Sequence, residues 1–177
     1  TGLHIDFDRT VASTGTAAYT TGTTGAYAIR TQVAAGRGTT ITYIARAFFQ
    51  FNTTSITTKP NSATLNIYGR TLGNGRVNCV KAASSMPLIT TADFDNIDGW
   101  DTTGTNGSGG GNNASNVTYY ALEDTSWTTA GYNEFALNDT ALNDMTNTTV
   151  LAICLLDRYD LRDLAHSPTG SNINGVY

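Results

Sequence analysis

Hydrophobic and polar positions alternate most regularly in the segment 63–68. Leu65 and Ile67 fall on one side of an extended chain there. The other side carries Thr64, Asn66 and Tyr68. Because the side chains of a β-strand point alternately to its two faces, this period of two predicts a strand that buries one face and exposes the other. Such a strand needs a second sheet to cover its buried face.

Further strand-like segments recur at short intervals along the chain. The aromatic-rich run 40–51 predicts one long strand with Phe49 and Phe51 on a common face. The run 150–156 is apolar at every position and predicts the most deeply buried strand. Additional short strands are predicted at 3–7, 76–82, 117–121, 132–137 and 173–177. Short strands separated by turn residues are typical of sandwiches, so we predict an all-β protein, a jelly-roll β-sandwich with one or two short helical turns.

Two segments have the composition of those helical turns. Thr91 is a suitable N-cap for the residues after it, and Asp139 or Thr140 can cap a short helix within 138–145. The stretch 101–116 consists almost entirely of Thr, Gly, Asn and Ser. This composition predicts a long surface loop.

The chain carries little charge for its length. Charged residues make up 14% of the 177 positions, against about 25% in ordinary soluble domains. The formal charge of −4 and the absence of a Lys/Arg block argue against a nucleic-acid partner. The longest apolar run is too short to span a bilayer, and no targeting segment opens the chain at Thr1, so we expect a mature or partial product of an extracellular protein. We predict a strand or arm at 1–11, a single β-sandwich domain at 12–177, and no cofactor.

The two cysteines, Cys79 and Cys154, both lie in apolar, strand-like segments. This placement is typical of buried thiols. In an exported protein the same two residues are also candidates for a disulfide between the sheets. Their spacing carries no signal of metal or redox chemistry.

Asn-X-Ser/Thr sequons occur six times, and all of them fall in predicted turns or loop edges, where an attached sugar is tolerated. The candidate acceptors are Asn52, Asn106, Asn113, Asn116, Asn138 and Asn147. A sequence rich in Asn and Thr also produces such sequons by chance. An unmodified polar surface is therefore the alternative interpretation.

Acidic residues cluster in two segments. The carboxylates of 93–101 lack EF-hand spacing because Ile97 occupies the third ligand position, which leaves only an irregular calcium loop as a metal interpretation. The segment 157–163 mixes acids with arginines and predicts a locally salt-linked turn. No carboxylate pair and no nucleophile beside a histidine suggests catalysis, so we predict a non-enzymatic protein without a metal site.

Exposed aromatic side chains are the usual platform for sugar rings. The candidates for such stacking are Trp100, Trp127 and Tyr132, with Tyr119 and Tyr120 as further candidates. Tryptophans of β-sandwiches also pack in the core, and that is the alternative interpretation.

Four segments carry a resemblance to a known family. They are Arg-Ala-Phe-Phe-Gln-Phe-Asn-Thr-Thr-Ser-Ile at 46–56, Ala-Thr-Leu-Asn-Ile-Tyr at 63–68, Thr-Ala-Asp-Phe-Asp at 91–95 and Ser-Trp-Thr-Thr-Ala-Gly-Tyr-Asn-Glu-Phe-Ala-Leu-Asn at 126–138. Their order resembles the DNRLRE-type extracellular jelly-roll domains, grouped with carbohydrate-binding-module-like sandwiches of secreted bacterial and phage proteins. The resemblance covers residues 40–177 and implies a fold more than an activity. Asn52 departs from it, since the family has Asp there.

The resemblance also implies a closing strand beyond Tyr177. A sandwich that lacks this strand has an open edge, predicted near 173–177. Another copy can fill such an edge by strand addition, and the predicted assembly strand carries Leu3, Ile5 and Phe7. A truncated chain, or a gap filled by the chain's own N-terminal piece, are the alternatives.

These observations lead to two functional hypotheses. The first is a non-enzymatic structural subunit of an extracellular filament, fibre or virion appendage, joined to its own copies by strand exchange and carrying glycans. The second is a carbohydrate-binding module of a larger secreted protein.

Overall fold

The computed structural model describes residues 27–33, 41–71, 76–83, 91–101, 113–162 and 171–176. Within these ranges the strands are β1 (Tyr27–Val33), β2 (Ile41–Ala45), β3 (Ala47–Asn52), β4 (Thr64–Thr71), β5 (Val77–Lys81), β6 (Tyr132–Ala136), β7 (Val150–Asp157) and β8 (Ser171–Val176). The helices are α1 (Asp139–Asn147) and α2 (Arg158–Arg162), and a 3-10 turn spans Thr91–Asp93. The predicted arm 1–11, with Leu3, Ile5 and Phe7, lies outside the described residues.

The described strands form two antiparallel sheets. A five-stranded sheet has the order β2-β1-β8-β4-β6, and a three-stranded sheet has the order β3-β7-β5. Each of the pairings is antiparallel. The prediction of an all-β protein with short helical turns is confirmed. Its jelly-roll topology stays a prediction.

The two sheets enclose the main hydrophobic core. Leu65 and Ile67 of β4 are buried, as their alternation predicts, and Leu65 lies opposite Phe135 of β6. These side chains share one buried cluster with residues of the three-stranded sheet: Ala47, Val77, Cys79, Leu151, Ile153 and Leu155. Each fully buried side chain of the Leu, Ile or Phe class contributes about 1.5–3 kcal/mol, so this cluster holds the sheets together.

Strand β7 is buried on both of its faces. The face turned away from β4 carries Cys154 and Leu156. A second cluster covers it and contains Val80, Ile97, Val117 and Leu161. Because both faces are covered, β7 carries apolar residues at successive positions rather than alternating ones. Among the strands whose burial the structure describes, β7 has the most buried positions, as the apolar run 150–156 predicts.

The predicted long strand at 40–51 is divided at Arg46. On one side of this residue β2 pairs with β1 in the five-stranded sheet, and on the other side β3 pairs with β7 in the three-stranded sheet. The prediction of one continuous strand is therefore wrong, because the chain crosses from sheet to sheet at Arg46. Phe49 packs against the main core, but Phe51 is 42% exposed.

Strand β8 lies inside its sheet rather than at an edge. It pairs with β1 on one side and with β4 on the other. The predicted open edge near 173–177 is therefore wrong, because neighbours hydrogen-bond both sides of this strand. Among the described strands, β2, β3, β5 and β6 each pair with a single neighbouring strand.

Two local predictions need correction. The predicted strand at 117–121 forms only an isolated bridge to β5, between Tyr119 and Val80. The predicted helix near 138–145 exists as α1, but its N-cap is Asn138, whose side chain accepts a hydrogen bond from the backbone N–H of Ala141. An asparagine oxygen at this position satisfies an N–H that has no partner inside the helix.

The two cysteines are free thiols on opposite faces of the three-stranded sheet. Cys79 lies opposite Leu155 and Cys154 opposite Val80 in the β5–β7 register, and the two thiols belong to different core clusters. The disulfide alternative is therefore not realised, and both side chains are buried thiols. Burial raises the pKa of Cys79 to about 12 and also raises that of Cys154.

Candidate functional site

Arg46 is the centre of a buried ionic cluster. Its Nε donates to Oδ2 of Asp160 at 2.7 Å, and its Nη2 donates to Oδ1 of the same carboxylate at 2.9 Å. Its Nη1 donates to Oδ1 of Asp95 at 2.7 Å and to the Phe94 carbonyl at 2.6 Å. The planar guanidinium matches a carboxylate with two parallel bonds, a geometry that lysine does not offer. This Arg46 cluster ties the start of β3 to α2 and to the segment after the 3-10 turn.

Two aromatic rings complete the Arg46 cluster. The guanidinium carbon lies 3.9 Å from the Phe94 ring centroid and 4.1 Å from that of Trp100. Burial disfavours the charge, but Asp160 and Asp95 outweigh that penalty and raise the pKa of Arg46 above its ordinary value. The Arg46 side chain has no exposed surface. The cluster is therefore a structural crosslink, closed to a ligand.

The acidic segments seen in the sequence serve this crosslink. Asp160 pairs with an arginine 114 positions away, and the predicted turn is replaced at residues 158–162 by the helix α2. Arg162 of the same segment lies 3.6 Å from Glu123 instead. Within the described ranges, no group of three or more His, Cys, Asp or Glu side chains is placed to hold a metal ion.

A second polar cluster joins α1 to β5. Asp144 accepts a hydrogen bond from Nζ of Lys81 at 2.8 Å and from the Tyr120 hydroxyl at 2.6 Å. The pKa of Tyr120 is raised, mainly because its hydroxyl is buried and secondly because it donates to Asp144. Burial opposes ionisation of Asp144, but the two donors prevail and lower its pKa. These groups bind one another and hold α1 against the sheet.

The structure separates the aromatic residues considered for sugar stacking. Trp127 is only 6% exposed and packs in the core, and Tyr120 is also buried. Trp100 is half-buried on the Arg46 cluster, and the half-buried Tyr119 donates its hydroxyl to the Ala114 carbonyl. Of these five candidates only Tyr132 is exposed, at 63%. Trp100 and Trp127 are therefore set aside as stacking residues.

Tyr132 lies beside a second exposed aromatic residue, Tyr68. The two residues are opposite each other in the β4–β6 register, and Tyr68 is 40% exposed. Their ring centroids are 5.4 Å apart with an interplanar angle of 86°, an edge-to-face arrangement. The alternation of 63–68 already placed Tyr68 on the outer side, but its partner in β6 cannot be read from the sequence.

Polar side chains extend this surface along both strands. Asn66 lies opposite Glu134, two positions along the strands from the tyrosine pair. Both of these polar residues and both tyrosines are exposed. Residues two apart in a strand are separated by about 7 Å. We call this surface the outer face of β4 and β6; it consists of Thr64, Asn66, Tyr68, Tyr132, Glu134 and Ala136.

The turn that leads into Tyr132 is held by buried polar contacts. The side chain of Asn133 accepts from the Thr128 N–H at 2.7 Å and donates to the Thr128 carbonyl at 3.0 Å. The backbone N–H of Gly69 donates to the Gly131 carbonyl at 3.1 Å. A Cβ at Gly69 would lie 1.8 Å from the Thr128 oxygen, so the close approach requires glycine. These contacts fix the backbone on either side of the tyrosine pair.

The sequon asparagines differ in accessibility. Asn113 is buried, and its side-chain oxygen accepts a hydrogen bond from the Asp101 N–H, so it is not an accessible glycan acceptor in this fold. Asn138 uses both ends of its amide, with the Ala141 N–H and the Tyr119 carbonyl. Asn52, Asn116, Asn138 and Asn147 are exposed. Asn106 lies outside the described residues.

Two findings complete the description. No helix in the described part of the chain has the length and apolar character needed to span a membrane. No protein-family model, no curated protein and no solved structure matches the sequence, so the resemblance to DNRLRE-type domains stays a prediction.

Proposed function

We propose that this chain is a non-enzymatic, extracellular β-sandwich module that binds carbohydrate on the outer face of β4 and β6. The observation that carries the proposal is the exposed Tyr68–Tyr132 pair with Asn66 and Glu134 beside it. A tyrosine ring stacks on the C–H face of a sugar, and its hydroxyl bonds at the rim. Amide and carboxylate groups then hydrogen-bond the sugar hydroxyls and fix the orientation.

Preorganisation supports the same proposal. The candidate residues stand on two paired strands rather than on a loop, and Asn133 and Gly69 brace the adjoining turn. A surface that does not have to be ordered on binding loses less conformational entropy. Large exposed aromatic side chains on such a surface indicate recognition more than packing.

A polysaccharide panel tests the proposal. Affinity electrophoresis in soluble polysaccharides should retard the wild-type chain, and Tyr132→Ala should weaken binding about tenfold, equivalent to about 1.4 kcal/mol. Leu122→Ala is a matched control, because Leu122 is 91% exposed away from these strands and should leave binding unchanged. Equal mobility of the wild type and Tyr132→Ala across a broad panel would contradict the proposal.

A jelly-roll topology is part of this proposal. Jelly rolls wind eight strands as two Greek keys into two sheets. Apart from β2, which adds a further strand beside β1, the order β1-β8-β4-β6 and the order β3-β7-β5 place early strands beside late ones, which supports that winding. The segment 117–124 runs along the free side of β5 through bridges at Tyr119 and Asp124. In the proposed winding, this segment takes the place of the eighth strand, beside β5.

A second candidate function is the structural subunit of an extracellular filament, fibre or virion appendage. The observation that favours it is the edge strand β3, which pairs only with β7 among the described strands. Phe48 and Phe49 on β3 are incompletely buried and Phe51 is 42% exposed. An aromatic strand at the edge of the described three-stranded sheet is suited to strand addition, so a strand from another copy would dock here and not at β8.

This second candidate has its own test. Native material should contain polymers visible by negative-stain imaging, and Phe51→Lys should disperse them, because a charge on an edge strand opposes pairing. Glu134→Lys is the control, since it changes charge on the other sheet. Polymers that persist in Phe51→Lys and after deletion of residues 1–11 would overturn strand addition at β3.

A further inference from the structure

We infer that the outer face of β4 and β6 takes a single uncharged sugar ring with two adjacent free hydroxyls, and not the packed surface of an insoluble polysaccharide. This inference rests on the proposed function and specifies the ligand of that same face. Three features of the face carry it: the angle between the two tyrosine rings, the position of the polar pair, and the charge of that pair.

The ring geometry limits how many sugars can stack. Tyr68 and Tyr132 meet at 86° with centroids 5.4 Å apart. Two perpendicular rings cannot both lie flat against one planar ligand, so one ring presents its face and the other presents its edge. Tyr132 is the more exposed of the two, at 63% against 40%. A flat crystalline polysaccharide requires coplanar rings, whereas this pair suits one sugar unit of a soluble chain.

The polar pair selects for hydroxyl groups. Asn66 and Glu134 lie opposite each other two positions along the strands from the tyrosines, which is about 7 Å away. An ionised carboxylate only accepts hydrogen bonds, through two oxygens, while an amide both donates and accepts. Two adjacent hydroxyls on one ring can donate to the Glu134 carboxylate and accept from the Asn66 amide. Glu134 thereby repels a ligand that carries its own carboxylate.

The expected discrimination is modest because the face is open to solvent. The Glu134 carboxylate and a ligand carboxylate about 4 Å apart in water repel each other only weakly. This repulsion corresponds to about a fivefold difference in affinity between neutral and acidic ligands at low salt. Salt should reduce this preference, because mobile ions screen exposed charges. The ring stacking, by contrast, should depend little on salt. Ionic strength therefore separates the contribution of Glu134 from that of Tyr132.

The test measures binding of the full chain by titration calorimetry to soluble neutral oligosaccharides and uronic-acid oligosaccharides. It adds cosedimentation with microcrystalline cellulose and chitin. We expect the neutral ligands to bind about fivefold more tightly than their uronic counterparts at low salt. Glu134→Gln should abolish that preference, whereas Asp139→Asn, which removes an exposed charge elsewhere, should retain it.

The outcomes separate this inference from the function beneath it. If Tyr132→Ala weakens binding but Glu134→Gln keeps the preference for neutral ligands, or if the chain cosediments with crystalline polysaccharide, the ligand class is overturned and carbohydrate binding stands. An absence of binding to every saccharide would overturn both. The expected pattern, with a stable fold of each variant checked by its thermal midpoint, supports both.

Discussion

Replacing Arg46 with methionine should remove a large part of the stability of the fold. The guanidinium donates two hydrogen bonds to Asp160 and one to Asp95, and the side chains of Arg46 and Asp160 are 0% and 1% exposed. Methionine keeps much of the volume but removes the guanidinium that binds the buried Asp160 carboxylate. Breaking a buried pair in this way lowers the free energy of unfolding by about 3–5 kcal/mol. Folded domains have only about 5–15 kcal/mol in total, so we expect a severe loss.

Urea unfolding followed by tryptophan fluorescence measures this change. Trp100 stacks on the guanidinium, so its emission reports directly on the Arg46 cluster. At an unchanged slope, the midpoint of Arg46→Met should fall by about 2 M if the slope is near 2 kcal/mol per M. The urea midpoint of Arg46→Lys should lie between those of the wild type and Arg46→Met, because lysine keeps the charge but not the bidentate geometry. The double variant Arg46→Met/Asp160→Leu should recover part of the lost free energy of unfolding, because it also removes the buried carboxylate that Arg46 neutralises.

The control is an exposed ion pair. Lys59 pairs with Asp139 on the surface, where both side chains are well exposed, and exposed pairs contribute little. Lys59→Met should therefore leave the unfolding midpoint unchanged. The reasoning fails if Arg46→Met loses less than about 1 kcal/mol, or if the double variant is less stable than Arg46→Met alone.

Three further predictions concern local features of the fold. Gly69→Ala should destabilise the protein by about 1–3 kcal/mol through overpacking, because the added Cβ would overlap a backbone oxygen. Gly131→Ala is the control and should be tolerated, since a Cβ there meets nothing within 4 Å. Equal thermal midpoints for the two variants would contradict this prediction. Tyr120→Phe should cost about 1.5 kcal/mol at pH 7 by removing the bond to Asp144. The pKa of Tyr120 is raised on folding, so the stability contributed by its neutral hydroxyl is complete below the unfolded pKa and is lost as pH rises from about 10. The difference in free energy of unfolding between Tyr120→Phe and wild type should therefore narrow at alkaline pH. A difference that stays constant with pH would contradict this role of the hydroxyl. Both thiols are buried with raised pKa values, so a thiol reagent should label them only at the rate of unfolding, and fast labelling of native protein would count against their burial.

Short-range patterns in the sequence predict several elements of this structure correctly. The alternation at 63–68 predicts both the strand β4 and the orientation of its side chains at 64–68, and the apolar run at 150–156 predicts the buried strand β7. These features depend on neighbours along the chain, because strand side chains alternate with fixed period. The same pattern placed Tyr68 on the exposed side. It could not show that Tyr132 lies opposite, because a register between strands 64 positions apart is a tertiary property.

The errors arise where distant residues decide the structure. Nothing in the run 40–51 marks the break at Arg46, because its partners Asp95 and Asp160 lie 49 and 114 positions away. The same long-range pairing explains why the local sequence around Asp160 does not reveal its partner, Arg46. The interior position of β8 depends on pairing with β1 and β4, which no local pattern can reveal.

The core and the outer face of β4 and β6 depend on the same strand register. Leu65 is buried opposite Phe135, and this pairing places Tyr68 opposite Tyr132 on the exposed side. A slip of β6 by one residue would turn Phe135 outward and Tyr132 inward, because strand side chains alternate. Exposing one Phe side chain of this kind forfeits about 1.5–3 kcal/mol of burial. The hydrophobic core therefore holds the tyrosine pair in place, so a binding surface on this face needs no stabilising contacts among its own side chains.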